Sequence, residues 1–137
     1  MCSALPPQAL QLATDDNMAD VWYNIGQIAI GIGDLNLAFQ SFKIAISCDS
    51  NHAESFNNLG ILELRKGNIE QARSNFQSAW KIAPHMFEPF FNGALVSFKL
   101  GDCQESFDMA QKALEAFPEH TDSKELLKQL KKHFTML

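Results

Sequence analysis

The stretch that decides the fold runs from Phe56 to Ala72 and reads FNNLGILELRKGNIEQA. Apolar residues recur along it at the spacing of one helix face until Gly67 interrupts the pattern. A glycine at this place ends a helix cheaply in the left-handed conformation, and Asn68 is a residue type that caps the start of another helix. The stretch therefore predicts two helices joined by a very short turn.

The same pattern returns at a step of 34 residues before and after this stretch. The columns that share this step are Trp22–Phe56–Phe90, Asn24–Asn58–Asn92, Gly33–Gly67–Gly101, Ala45–Ala79–Ala113 and Pro84–Pro118. Agreement of independent columns on one period indicates repeated helical pairs. Because a single pair cannot bury both of its apolar faces, the pairs are expected to stack into a solenoid.

The period predicts where the units and helices lie. The units are 19–52, 53–86 and 87–120, with first helices over 19–32, 53–66 and 87–100 and second helices over 35–48, 69–82 and 103–116. In the divergent third unit, Gly93 and Ala110 stand where large side chains are usual, so we expect looser packing there. Segment 1–18 is interpreted as the remnant of a preceding repeat helix and its linker. The face of helix 19–32 that would meet earlier helices is then uncovered and open to self-association.

The last segment, 121–137, predicts a helix with Leu126, Leu127 and Leu130 on one face. The simpler interpretation is a capping helix that covers the third unit, as terminal repeats require. Lysines at 124, 128, 131 and 132 leave open a second interpretation, a basic helix that docks on a partner or a membrane surface.

Composition narrows the classes of function. The 137 residues carry a net charge of −5, which disfavours nucleic acid as a partner, and no apolar run is long enough for a transmembrane segment. The three cysteines form no CxxC pair, which argues against a zinc site and suits a reducing cytoplasm. The histidines are spread along the repeats and do not converge on one metal site. No catalytic motif or phosphate-binding glycine loop is present. We therefore predict no enzyme activity, no cofactor and no metal site.

Residues such as Trp22, Gly26, Ala38 and Phe42, and Leu59, Gly60, Ala72 and Phe76 one unit later, resemble the tetratricopeptide repeat (TPR) signature. The resemblance implies an all-α, right-handed TPR helix-turn-helix solenoid of three repeats plus the C-terminal capping helix. It also implies that the first helix of each pair lines a concave groove for a peptide or partner. The candidate groove residues are Asp20, Tyr23, Asn24, Gln27, Glu54, Asn57, Asn58, Arg65, Glu88, Phe91, Asn92 and Lys99.

Two ladders follow from this placement, one of Asn24, Asn58 and Asn92, and one of Asp20, Glu54 and Glu88. An amide donates and accepts, so the asparagines could pair with the backbone of an extended peptide; alternatively they bond to a neighbouring helix or to water. The acidic ladder favours a basic or amide-rich partner segment. The places that bind an acidic chaperone tail in co-chaperone TPR domains hold Tyr23, Gln27, Asn58, Glu88 and Asn92. Only Asn58 fits that role, so a chaperone tail is disfavoured.

Longer strings resemble the TPR subunits of the BBSome, a ciliary coat complex: DVWYNIGQIAIGIGD, NHAESFNNLGILELRKGNIEQAR, APHMFEPFFN and KQLKKHFTML. This resemblance implies a scaffold that binds other protein subunits of a BBSome-like complex and acts in ciliary assembly and transport. It implies a place in the cytoplasm, at the centrosome or ciliary basal body, and in the cilium. Two alternatives remain open: a generic adaptor that binds an extended peptide, and a TPR appendage of an enzyme encoded elsewhere.

Overall fold

The computed structural model describes residues 17–136, which form seven α-helices and no strand. The helices are α1 Met18–Gly31, α2 Leu35–Cys48, α3 Ala53–Lys66, α4 Ile69–Ile82, α5 Phe87–Lys99, α6 Cys103–Ala116 and α7 Thr121–Thr135. The prediction of an all-α TPR solenoid is confirmed, and every predicted helix bound within the repeats lies within one residue of the observed one. The preceding helix expected before residue 17 falls outside the described residues.

Glycine sets the turn inside each pair. Gly33, Gly67 and Gly101 have φ of +82°, +84° and +83°, as expected for left-handed helix ends. The residue after each glycine was expected to cap the next helix. Asp34 does accept from the Leu37 N–H at 3.0 Å, and Asp102 accepts likewise from Glu105.

The expected side-chain cap by Asn68 is wrong, because its side chain makes no bond to α4. The turn before α4 nevertheless has nearly the backbone conformation of the turns that contain Asp34 and Asp102. The Asn68 N–H donates to the Glu63 carbonyl at 2.9 Å. The glycine and this backbone bond therefore fix the turn without a side-chain cap.

Within the first two pairs, a glycine lies directly under a phenylalanine ring. A Cβ placed on Gly26 would lie 2.5 Å from Phe42, and one on Gly60 would lie 2.5 Å from Phe76. Both rings are fully buried. In the third pair, Ala94 and Ala110 replace this glycine and phenylalanine and are also fully buried. The third pair thus gains one methyl group and loses a phenyl ring at these positions, and both alanines lie in one buried cluster with α7.

A second volume match joins each pair to the next one. Ile46 of α2 packs against the cluster that contains Leu59 of α3, and Leu114 of α6 belongs to the cluster of Leu127 of α7. At the middle joint the corresponding residues are Trp80 and Gly93. We call these three contacts the joint pairs.

The middle joint corrects the expectation of loose packing at Gly93. A Cβ on Gly93 would lie 2.3 Å from Trp80, so the indole fills the space that a large side chain on α5 would occupy. The indole also stacks on Phe90, with ring centroids 5.4 Å apart and planes 15° apart. A large residue on α4 and a glycine on α5 therefore make one tight joint.

Polar contacts reinforce two of these joints. Lys66 Nζ lies 3.6 Å from the centroid of the Phe39 ring, which brings α3 to α2. Arg73 of α4 pairs with Glu105 of α6 and lies 3.6 Å from Asp102. These contacts fix the orientation of neighbouring pairs in addition to the apolar joints.

The last helix closes the apolar end of the third pair. Ser123, Leu126, Leu127 and Leu130 of α7 are buried, in a cluster shared with α5 and α6. The four lysines of α7 are exposed. This arrangement is the one expected for a capping helix.

Replacing Gly93 with Leu should destabilise the solenoid, because the new side chain and Trp80 cannot occupy the same space. Overpacking of this kind lowers the free energy of unfolding by about 1–3 kcal/mol, which thermal or urea unfolding followed by circular dichroism would detect. Gly31→Ala is the matched control, since a Cβ there meets nothing within 4 Å. Adding Trp80→Ala to Gly93→Leu should recover part of the loss. Equal stability of Gly93→Leu and the wild type would contradict the joint.

Candidate functional site

The predicted groove residues lie on the first helices α1, α3 and α5. We call the side of these three helices that carries them the inner face. Most of the predicted residues are exposed or partly buried there, as a binding surface requires. Asn57 is the exception, with 7% of its surface exposed, so it serves the packing between helices.

Side-chain amides tie the first helices to one another. Asn58 Nδ2 of α3 donates to Gln27 Oε1 of α1 at 3.1 Å, and Asn92 Nδ2 of α5 donates to Asn57 Oδ1 of α3 at 3.0 Å. Two rungs of the asparagine ladder therefore bond to neighbouring helices, which is one of the two alternatives that the sequence left open. The third, Asn24, is exposed. The ladder is thus not three equivalent rungs.

The hydroxyl of Tyr23 extends this network on α1. Gln27 Nε2 donates to it at 3.1 Å. Burial raises the pKa of Tyr23 above its usual value of 10.0; a hydrogen bond with Asn58 opposes this shift, and the charges of Glu54 and Glu88 add to it. Carboxylates from α3 and α5 therefore act on a group of α1.

His52 forms a polar node where the first pair meets the second. Its Nε2 lies 2.8 Å from Asp20 Oδ1, its Nδ1 lies 2.8 Å from Ser55 Oγ, and only 6% of its surface is exposed. Asp20 is thus engaged within the solenoid, while Glu54 Oε2 lies 3.7 Å from His52 Nε2. The acidic ladder is therefore uneven, with its first member already partnered.

Sequence reasoning missed His52 because it treated the turn histidines only as potential metal ligands. A signal was present: His52 is followed three residues later by Ser55, and His120 by Ser123. In both cases Nδ1 of the histidine bonds the serine hydroxyl, at 2.8 and 2.6 Å. This histidine–serine spacing marks two helix starts.

Sequence reasoning also missed the apolar part of the inner face. Leu95 and Phe98 of α5 are 40% and 39% exposed, and with Lys99 they line an open pocket of about 400 Å³. Ile61 and Leu64 hold the same places one repeat earlier and are partly buried. The signal was the same 34-residue step that defined the polar ladders, applied to the apolar residues between them.

The uncovered face expected on the first helix stays a prediction. Met18, Ala19 and Trp22 are buried, whereas Ile28 and Ile32 are 66% and 71% exposed. The exposed apolar surface of α1 lies near the turn into α2.

Residues 17–136 also bear on metal binding and on membrane crossing. That part of the chain holds no group of three histidine, cysteine, aspartate or glutamate residues arranged to bind a metal ion. None of its helices is long and apolar enough to cross a membrane.

The sequence of this chain is similar to that of known tetratricopeptide repeat proteins. Tetratricopeptide repeat models match residues 19–52 and 41–74. The chain is 56% identical over 131 residues to mouse tetratricopeptide repeat protein 8, an alignment that covers 95% of this chain and 25% of that protein. The chain thus spans about a quarter of the length of the relative it matches.

Solved structures share the fold. The TPR domain of Arabidopsis OM64 has a TM-score of 0.79 at 20% identity, covering 88% of this chain and 99% of that domain. The first TPR of Spaghetti (RPAP3), solved with the HSP90 peptide SRMEEVD, has a TM-score of 0.78 at 15% identity, covering 85% and 95%. At these identities the likeness concerns the fold alone.

The raised pKa of Tyr23 predicts a specific alkaline behaviour. The folded chain retains the phenolic proton above pH 10.0, where the unfolded chain releases it, so stability should fall as pH rises from that value towards the folded pKa. Tyr23 is the only tyrosine, so tyrosinate absorbance reports it directly. Tyr23→Phe should remove this part of the alkaline loss in stability. A titration midpoint at or below 10.0 in the folded chain would contradict the environment described.

The amide contacts predict a modest loss of stability when both asparagines are truncated. Asn58→Ala with Asn92→Ala removes two inter-helix hydrogen bonds, each worth about 1 kcal/mol. Asn24→Ala is the matched control, because Asn24 occupies the same place in the first repeat but is exposed. Urea unfolding would compare the variants. Equal stability of the double variant and the control would show that the amides do not hold the helices together.

Proposed function

This chain is a tetratricopeptide-repeat solenoid, and from that premise we propose that it is a non-catalytic protein-interaction scaffold of the BBSome type. In this role it binds other protein subunits and contributes to ciliary assembly and to the transport of membrane proteins to cilia. It acts in the cytoplasm, at the centrosome or basal body, and in the cilium. The observation that carries the proposal is the 56% identity to mouse tetratricopeptide repeat protein 8 across 95% of the chain.

The extent of that identity supports more than a shared fold. Packing of a TPR solenoid needs only a limited set of small and apolar residues, and the solved neighbours keep the fold at 15–20% identity. Identity near 56% must therefore include many residues that packing does not require. Solvent-facing residues stay the same between relatives when they contact other proteins.

The physical properties of the surface support a protein partner. The inner face presents partly exposed amides beside an open apolar pocket, and it is flanked by charges of both signs. Mixed polar and apolar surfaces of this kind are typical of protein interfaces. The acidic net charge of −5 agrees with this choice, since nucleic acid favours a basic face.

A second candidate function is a generic adaptor that binds an extended peptide on the inner face. The partly exposed amides of Asn58 and Asn92 favour it, and one structure with this fold was solved with a peptide, that of Spaghetti. An acidic tail is a poor ligand here, because Glu88 stands where such a clamp needs attraction for a carboxylate. A basic or amide-rich peptide suits the same surface.

Affinity capture from ciliated cells separates the two candidates. The tagged chain should retain BBSome subunits, identified by mass spectrometry, in amounts well above those retained by the OM64 TPR domain. That domain is a matched control, since it has the same fold at 20% identity. Loss of BBSome subunits from the captured set would overturn the scaffold proposal. Enrichment of unrelated proteins that share one short motif would instead support the adaptor.

A further inference from the structure

A pocket of about 250 Å³ opens at the first joint of the solenoid, between the second helices α2 and α4. Its apolar lining includes the joint pair of Ile46 and Leu59, and none of its lining residues belongs to the predicted groove. The other lining residues are polar, charged or aromatic: Phe39, Lys43, Glu63, Gln71, Ser74 and Asn75. A concave site with a few polar groups beside apolar ones is typical of binding sites.

Glu63 is the unusual member of this lining. Only 7% of its surface is exposed, and its carboxylate forms no hydrogen bond or ion pair with any described residue. A carboxylate that is taken out of water without a partner destabilises a fold, so buried carboxylates are normally paired. Because Glu63 lines the pocket, the partner that it lacks can reach it from there.

Two lysines near the pocket do not supply this partner. Lys43 Nζ lies 5.3 Å from the centroid of the Phe39 ring, and Lys66 Nζ lies 3.6 Å from it. Neither lysine forms an ion pair with Glu63. Both ammonium groups therefore lie over the aromatic ring and leave the carboxylate unpaired.

The second joint contains the group that the first joint lacks. One repeat after Phe39 stands Arg73, whose guanidinium pairs with Glu105. The same carboxylate accepts a hydrogen bond from the Ser97 hydroxyl at 2.8 Å, and Ser97 stands one repeat after Glu63. Both joints thus place one carboxylate between consecutive second helices, but only the second joint has an arginine beside it. At the first joint an aromatic ring stands in the place of that arginine.

We propose that the pocket at the first joint binds an arginine side chain of a partner protein. The guanidinium donates hydrogen bonds to the Glu63 carboxylate, and the methylene groups of the side chain cover Ile46 and Leu59. A guanidinium suits this place better than an ammonium group, because it is planar, is weakly hydrated and donates in pairs to a carboxylate. The site extends protein interaction to the side of the second helices, and it does not depend on which subunits the chain binds.

Blocked amino acids test the chemistry of the ligand. The probes are the N-acetyl N-methylamides of arginine, lysine, citrulline and glutamate, each added to the isotope-labelled full chain and followed by NMR. The arginine probe should shift the side-chain amide signals of Gln71 and Asn75 in a saturable manner. It should bind roughly tenfold more tightly than the other three, of which citrulline has nearly its shape without its charge. Equal affinity for the lysine or citrulline probe, or tighter binding of the glutamate probe, would overturn the proposal.

Glu63→Gln tests the site on the protein. It keeps the shape of the side chain and removes the charge, so the arginine probe should bind at least roughly tenfold more weakly. The melting temperature should not fall, because the carboxylate has no internal partner to lose. Glu70→Gln is the matched control, since it removes an exposed charge next to Gln71 and should leave the affinity unchanged. Equal weakening by the two changes, or a lower melting temperature of Glu63→Gln, would overturn the proposal.

An arginine supplied by the chain itself gives an independent test. Phe39→Arg reproduces at the first joint the residue that Arg73 provides at the second. This variant should no longer bind the arginine probe, because its own guanidinium occupies the pocket. Adding Glu63→Gln to Phe39→Arg should lower the melting temperature, although the same change does not lower it in the wild type. Continued binding of the probe, or the same effect of Glu63→Gln in both chains, would overturn the assignment.

Free arginine tests the source of the guanidinium. An arginine within a protein has no free α-amino or α-carboxylate group, so free arginine should bind no more tightly than the blocked probe. Tighter binding of the free amino acid would assign the pocket to a small molecule and overturn the partner side chain. If the chain captures BBSome subunits but binds no arginine probe, the pocket assignment alone fails; if it binds the probe and captures none, the scaffold proposal alone fails.

Discussion

Each helical pair of this solenoid leaves an apolar face that only the next pair can cover. The constraint is met by matching volumes at the joint pairs, where a side chain of the second helix enters the space over the following first helix. Ile46 packs against the cluster of Leu59, and Trp80 fills the space over Gly93 in the next joint. Because the sum of the two volumes matters more than either residue, a glycine on one side is compatible with a tight joint. The rest of the solenoid depends on this contact.

The joints also decide which side chains remain available to partners. Stacking is carried by the second helices and by the buried flank of the first helices, as the contacts of Trp80, Phe39 and Arg73 show. The opposite flank of the first helices therefore need not be apolar. It can hold charges and a partly exposed apolar pocket at little cost to the core. The exposed side chains of the inner face are thus a consequence of how the pairs stack.

The period in the sequence predicted the fold nearly completely, because a helix end at glycine and a face of apolar residues are local properties. Gly67 decides the turn whether or not Asn68 caps it. The sequence was less informative about Gly93, since its partner Trp80 lies in another repeat and comparison down a single column cannot reveal it. A residue that differs in size from its counterparts in the other repeats can be compensated by a residue at a different position of the repeat.

The candidate site was predicted less well for a related reason. The polar positions of the inner face were found from the period, but the bonds between them join different repeats, as from Asn58 to Gln27 and from Asn92 to Asn57. His52 holds Asp20 from the other end of the same unit, 19–52. Such contacts depend on the distance between helices, which the spacing of residues in the sequence does not give.

The amides of the inner face hold neighbouring helices together while remaining partly exposed. Asn58 bonds to Gln27 of another helix while remaining partly exposed, so a partner that takes its amide must either replace that bond or add to it. Replacing an internal hydrogen bond yields little net free energy, whereas burying Leu95 and Phe98 removes apolar surface from water. A partner that covered Leu95 and Phe98 would therefore gain more free energy from their burial than from replacing these amide bonds.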